Sequence, residues 1–377
     1  MVTYRSPDGS FGGPVRVAEA QALALEARGH SVTILAGAPN RRSSEIADRV
    51  RVEEFAARRL APGRGFAFLC APGLLPWLDR HRTDFDIVHI HMARDLVTLP
   101  VAMWAQARGI PYVAQTHGMI DQSERRLAQV LDFVATRRAL RRAHEVFVLT
   151  PAEALQVVEV ESTIRTAPIV NGLAIPRDAV VSGPRPPVVL FLARLHPRKR
   201  PVAFVEMATA VAAADPNARF VLAGPDEGEL HAVNEALAAS DIRDRFEIVG
   251  AIDPGQTNAL MASSAVYVLP SEGEVFPMSV LEALQQRTPV VTTASIGMAA
   301  LLRRHGAAAL TDGTPAELAK AVLKILGSED EAERYRSGGR RLLLAELDIA
   351  NVARDLEAHY QSAPRVDDAG SNYNGAT

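Results

Sequence analysis

The chain has 377 residues, 48% of them hydrophobic, which is more than one ordinary core needs and enough for two. A net charge of −3 gives no support to a nucleic-acid partner, and the lone cysteine, Cys70, excludes a disulfide framework and any cysteine-built metal cluster. The start lacks a signal-peptide pattern, and the longest apolar stretch, 66–78, is broken by Pro72, Gly73 and Pro76, so the expectation is a cytoplasmic protein that can still touch a membrane surface.

Short apolar, β-branched runs alternate with helical patterns along the whole chain. The first half places strands at 31–37, 51–55, 86–91, 112–117 and 145–150. An amphipathic helix over 15–29 precedes the first of these, with Pro14 at a favourable first helical position and Gly29 as its stop. The segment 173–187, rich in Pro, Gly and Ser, reads as a linker. Beyond it, strands are expected at 188–194, 219–224, 245–250, 265–271, 289–293 and 307–311, then a helix over 348–361 and a disordered tail, 362–377. Strand runs apolar on both faces indicate parallel sheets covered by helices. The fold class is therefore α/β, with two Rossmann-like, doubly wound domains, 1–172 and 188–347, facing across a cleft. Ligands in such sheets bind beyond the carboxyl ends of the strands.

Candidate chemistry gathers at those ends. After the strand 188–194 comes RLHPRKR, which puts Arg194 and Lys199 at a strand terminus with Arg198 and Arg200 beside them. Arg grips phosphate bidentately and Lys adds a point charge, so the pair suits a diphosphate; the plainer reading is a solvated basic loop. Gly12 and Gly13 precede a helix and let backbone approach an anion, but the spacing is not that of a dinucleotide loop and no acid ends the next strand. His117 closes the strand 112–117 and is followed by Gly118. His89 and His91 are read as alternating in facing, with His91 on the acceptor side of the cleft and His89 structural. No cysteine or convincing carboxylate completes a tetrahedral metal set around these histidines. Glu274 and Glu282 frame an apolar stretch from a strand into a helix, where acids are seldom buried without partners.

Taken together, these residues resemble the retaining GT-B glycosyltransferases, in particular the bacterial type of glycosyltransferase family 4. Glu274, seven residues and Glu282 carry the likeness, supported in order by RGHSVTILAG, THGM, VNGL, ARLHPRK and PSEGEVFPMSVLEALQQRTPVV. The resemblance implies that Arg194 and Lys199 hold a nucleotide diphosphate, Glu282 the ribose hydroxyls and Glu274 the transferred sugar. It gives the backbone N–H groups of Phe276 and Met278 to sugar and phosphate, while Pro277 has none to give. Gly12 and Gly13 would close over the phosphates, Gly250 to Ile252 would form a base pocket, and His117 would contact the sugar near the reacting carbon. His117, Arg194, Lys199 and Glu274 are thus the implied catalytic set.

The implied reaction moves a sugar from a nucleotide-diphosphate sugar to a hydroxyl acceptor (a glycan, glycolipid or small metabolite). The acceptor attacks from the leaving group's own face, with no enzyme nucleophile, no metal and no cofactor beyond the co-substrate. The helix over 348–361 would cross back to the N-terminal domain. Two departures stand out. Only Met1 to Tyr4 precede the glycine loop, so a truncated first strand or a late start is expected, and Ala299 and Ala300 occupy the place of a Pro-Glu pair. Arg125, Arg126, Arg137, Arg138, Arg141 and Arg142 lie in 123–145, a basic amphipathic stretch suited to peripheral contact with anionic lipid or, more plainly, to ion pairs with Glu124 and Asp132. The alternatives are a nucleotide-sugar epimerase of the same fold and a non-catalytic sugar-binding relative.

Overall fold

The computed structural model describes residues 1–4, 12–60, 66–175 and 185–364. The chain divides into two compact units, Met1–Gly172 with Ile349–Thr377, and Leu173–Asp348.

The first unit contains β1 (Val2–Tyr4), β2 (Thr33–Ala38), β3 (Arg42–Ile46), β4 (Val50–Ala56), β5 (Arg58–Arg59), β6 (Leu69–Cys70), β7 (Val88–His91), β8 (Tyr112–Gln115), β9 (Val146–Val148) and β10 (Thr166–Pro168). One sheet runs in the order β10-β9-β8-β7-β1-β2-β4-β3, and β5 pairs with β6 apart from it. Every pairing in the large sheet is parallel except β3 with β4. All positions of β7 and β8 are buried, as a sheet covered on both faces requires.

The C-terminal helix Ile349–Gln361 belongs to this unit's core. Its Ile349, Val352, Ala353 and Leu356 pack with Leu25, Val113, Phe147 and Ile169, and His359 Nδ1 lies 2.6 Å from the Glu145 carboxylate.

Three expectations change here. The first helix begins at Gly12, so Pro14 is its third residue, still within the turn whose N–H groups have no intrahelical acceptor. Strands β5, β6 and β10 were not foreseen, and neither was β3. It returns on β4 through Ala47 and Asp48, both at positive φ (52° and 53°), a tight turn without its usual glycine. The end of the expected linker is fixed to the second unit, because the Arg185 guanidinium donates to the carbonyls of Ser264 (3.0 Å) and Gln286 (2.8 Å) and to the Thr288 hydroxyl (2.8 Å). Residues 176–184 of that linker, 365–377 of the tail and 5–11 of the glycine loop lie outside the described residues.

The second unit is a single parallel sheet of β11 (Val188–Leu192), β12 (Arg219–Ala223), β13 (Phe246–Gly250), β14 (Val266–Leu269), β15 (Val290–Thr293) and β16 (Ala308–Thr311), in the order β13-β12-β11-β14-β15-β16. Its core is built from Val189, Phe191, Phe204, Val211, Phe220, Leu222 and Val268. Strand order reverses between β11 and β14 here, and between β1 and β7 in the first unit. Those reversals open the crevices in which doubly wound sheets hold ligands. Among the described residues, no helix is long and apolar enough to cross a membrane.

Candidate active site

In the second unit, the loops leaving β11 and β14 carry most of the foreseen residues. Past Arg194, the chain makes one turn of 3-10 helix over Pro197–Lys199, capped by His196, whose Nδ1 accepts the Arg198 N–H at 3.2 Å. Arg200, at φ 54°, then starts the helix Pro201–Ala214. From β14, the loop 270–277 leads into the helix Met278–Gln285. The two loops are laced together. Glu272 N–H donates to the Arg198 carbonyl (3.0 Å), the Arg198 guanidinium donates to the Gly273 carbonyl, and Arg200 pairs with Glu272 at 3.1 Å. Gly297 N–H holds the Glu274 carbonyl from the far side at 2.7 Å.

This lacing brings Lys199 Nζ to 3.0 Å from Glu274 Oε1, with the two side chains only 12% and 19% exposed. Burial pulls the lysine below its usual range, and the Glu274 carboxylate opposes that pull. Tyr267 lies on β14, the strand that leads into the Glu274 loop. Its buried hydroxyl sits 2.7 Å from the Ser279 hydroxyl and 3.2 Å from the Leu192 carbonyl oxygen, joining β11 to the first turn after the Glu274 loop. Burial pushes this phenol up, and the charges of Glu282 and Glu274 add to the push, so both acids act on one buried hydroxyl. Phe276 is buried beside Pro277. Met278 opens the helix, so its N–H is among those with no intrahelical acceptor.

Arg194 is held by a residue that sequence reasoning missed. Its Nη1 donates to both oxygens of Glu227 at 2.7 Å. Glu227 follows β12 in GPDEG, where Gly224, at φ 142°, lets that loop press on β11. A Cβ at Gly224 would stand 1.9 Å from the Ala193 carbonyl oxygen. With Arg194 40% exposed, the pair is screened and contributes little stability. Gly250 and Ile252 lie at the end of β13, two strands from β11 and hence about 10 Å along the sheet.

In the first unit, Gly12 and Gly13 open the first helix, and a Cβ at Gly13 would meet nothing within 4 Å. His117 and Gly118 both take left-handed backbone, φ 50° and 70°. A second missed residue, Glu153, holds that turn. Its fully buried carboxylate accepts from the Thr116 hydroxyl (2.6 Å), from Gly118 N–H and from Leu149 N–H (2.6 Å). The signal lay in TPAE, a cap sequence, since Thr150 accepts the Glu153 N–H at 3.1 Å.

The expected alternation of His89 and His91 is corrected, because residues two apart on a strand share a face. Their rings stack 4.5 Å apart at 8°, and His117 continues the stack 5.0 Å from His91 at 10°. His91, expected on the acceptor side, is 2% exposed, and its Nδ1 is engaged with His117 Nε2 at 2.8 Å. It is an interior partner of His117 rather than a surface contact. His89 Nδ1 meets the Tyr360 hydroxyl at 2.6 Å. Burial lowers all three imidazoles, His117 to about 3. No group of three or more metal-ligating side chains converges among the described residues.

Residues 177–342 match the family Glycosyl transferases group 1, and residues 12–172 match the Glycosyl transferase 4-like domain. The 2-deoxystreptamine glucosyltransferase of Streptomyces kanamyceticus is 25% identical over 314 residues, 75% of this chain and 79% of that protein. Glycogen synthase of Mycobacterium tuberculosis is 26% identical over an alignment covering 97% of this chain and 94% of its own. Among solved structures, sucrose-phosphate synthase from Thermosynechococcus elongatus superposes with a TM-score of 0.74 at 20% identity, covering 96% of this chain and 98% of that one. Anabaena HepE, solved with UDP and glucose, gives a TM-score of 0.73 at 19% identity, covering 96% and 99%.

Proposed function

We propose that this chain, a GT-B glycosyltransferase of group 1 with a glycosyl transferase 4-like N-terminal domain, moves a sugar from a nucleotide-diphosphate donor to a hydroxyl acceptor with retention of configuration and without a metal. The observation that carries this reading is the pairing of Lys199 with Glu274 across the β11–β14 reversal, with Arg194 on the same loop. Cleaving a sugar–phosphate bond leaves negative charge on the diphosphate, and fixed cations stabilise it where it develops. In this reading Lys199 and Arg194 do this once the diphosphate displaces their carboxylate partners, Glu274 and Glu227. Glu274, released from Lys199, accepts hydrogen bonds from sugar hydroxyls. Glu282, one helical segment further on, takes the ribose, and the N–H groups of Phe276 and Met278 complete the grip. His117 meets the sugar.

HepE was solved with UDP-glucose, which makes that compound the first donor to try. The 2-deoxystreptamine transferases among the relatives make an aminocyclitol the first acceptor. The test is nucleotide release in EDTA from a panel of UDP-, GDP- and ADP-sugars, with 2-deoxystreptamine, oligosaccharides and glycolipids as acceptors. Acceptor-dependent release from at least one donor is expected. Sugar isomerisation without release would instead establish an epimerase.

A second reading concerns the segment 126–142. Val130, Phe133 and Val134 are 57%, 84% and 60% exposed, and Arg125, Arg126, Arg137 and Arg138 are exposed around them. Asp132, expected to neutralise these arginines, is instead held by Arg94 at 2.7 Å. An exposed apolar triad flanked in sequence by exposed arginines suits peripheral contact with anionic lipid and a lipid-linked acceptor. Co-sedimentation with phosphatidylglycerol vesicles, reversed by salt and abolished by Phe133→Asp, is expected. Equal behaviour with neutral vesicles would remove this reading.

A further inference from the structure

In the first unit His89 is hydrogen-bonded to Tyr360 of the C-terminal helix and stacks on His91, and His91 is hydrogen-bonded to His117. We propose that His91 is a positioning residue that donates its Nδ1–H to His117 Nε2, so that His117 presents a protonated Nδ1 as a hydrogen-bond donor. The proposal rests on the reading above that His117 meets the donor sugar, and it specifies how.

The argument begins with the proton count. His91 Nδ1 and His117 Nε2 are 2.8 Å apart, a distance that holds one shared proton between two neutral rings. Burial keeps both rings below the ordinary histidine range, so both are neutral near pH 7. A neutral imidazole carries one N–H, so the two rings have two possible arrangements. If His117 donates, His91 must carry its proton on Nε2. That atom is buried and has no hydrogen-bond partner among the described residues. A buried donor left unpaired is rarer and more costly than an underused acceptor. If His91 donates, its Nε2 is a bare lone pair and His117 keeps its proton on Nδ1. The second arrangement is favoured.

The surroundings hold this choice in place. His89 stacks on His91 at 4.5 Å, and its own Nδ1 is tied to the Tyr360 hydroxyl at 2.6 Å. Glu153 secures the backbone on both sides of His117 through the Thr116 hydroxyl and Gly118 N–H, which sustains its left-handed φ of 50°. His117 is therefore fixed in tautomer by one neighbour and in backbone by another. It meets a ligand oxygen as a neutral N–H donor and does not act as the base that deprotonates an acceptor hydroxyl.

The test is nitrogen-15 NMR of the full chain labelled at histidine, at pH 7.5 and without ligand, with the His117 ring assigned by its loss in His117→Gln. The expected result is a protonated Nδ1 and a bare Nε2 on His117. A protonated Nε2, or a charged ring, would overturn the proposal. Two variants separate positioning from packing. His91→Asn keeps an N–H donor close to the place of Nδ1, and His91→Leu keeps bulk without a donor. His117 should keep its tautomer in His91→Asn and lose the preference in His91→Leu. With UDP-glucose as donor probe, His91→Leu should lose about tenfold in kcat/KM, the scale of one hydrogen bond, and His91→Asn much less. Equal changes of the His117 ring in both variants would reduce His91 to packing and overturn the proposal. Unaltered turnover in His117→Ala, with the expected tautomer seen in the wild type, would remove the contact between His117 and the donor while leaving the His91 assignment standing.

Discussion

Replacing Lys199 by alanine is expected to lower kcat/KM by about a hundredfold to a thousandfold, chiefly through kcat, because it removes a positioned charge from the leaving diphosphate. The position is buried enough to make that charge count. Lys199 is 12% exposed and lies under the β14 loop, where the effective dielectric is well below that of water. Arg194, exposed and shared with Glu227, should cost less when replaced. The same change leaves Glu274 without its partner, so the second unit should also lose stability. Glu274→Gln in the Lys199→Ala background should restore part of the stability and none of the rate. Steady-state nucleotide release, with thermal unfolding on the same samples, reads both effects. Turnover within threefold of the wild type would remove Lys199 from the chemistry.

Acid should unfold the first unit well above the pH at which most carboxylates titrate. His89, His91 and His117 are neutral when folded, and their folded pKa values lie below the ordinary value of 6.5. Between the folded and unfolded values, the unfolded chain binds protons that the folded chain refuses. Their stabilising contribution is therefore complete above pH 6.5 and is lost as pH falls below it. Each such group contributes a slope of up to about 1.4 kcal/mol per pH unit, so three give roughly 4.

Asp95 works in the opposite direction. Its carboxyl accepts from the N–H groups of Val97 (2.7 Å) and Thr98 (2.6 Å), but burial still raises it to about 6, so below that pH the folded state holds a proton more readily than the unfolded chain. It offsets roughly one histidine below pH 6, leaving a net slope of roughly 3 kcal/mol per unit. A stability of 5 to 15 kcal/mol, the usual range of about that size for domains, would be largely consumed within a few pH units. Thermal unfolding from pH 8 to pH 5 should show a gentle fall, as burial lowers the Met1 amine to about 5, and then a steeper one below about 6.5. A flat profile would mean that the histidines are charged or exposed.

The alternation of strands and helices and the parallel sheets were legible because parallel strands covered by helices are written as short runs apolar on both faces, as in 188–192 and 266–269. The placing of Arg194, Lys199, Glu274 and Glu282 followed from position, since each lies just beyond a strand or on the next helix. What remained hidden was held by contacts between distant residues. Glu227 reaches Arg194 only because Gly224 lets two loops touch, and Glu153 reaches the His117 turn from a different helix. The β3 hairpin turns on Ala47 and Asp48, which carry no glycine signal. The His89 and His91 error was of another kind. The period of a strand was available in the sequence and was misapplied.

The most direct test is the anomeric configuration of the first product formed from UDP-glucose, or from whichever donor in the panel turns over, followed by proton NMR in EDTA. An α-linked donor should give an α-linked product, with Lys199→Ala slowing its appearance and leaving its configuration unchanged. A β-linked product from the wild type, or transfer only after a divalent metal is restored, would contradict the account of a cation-assisted, metal-free transfer on the leaving group's own face.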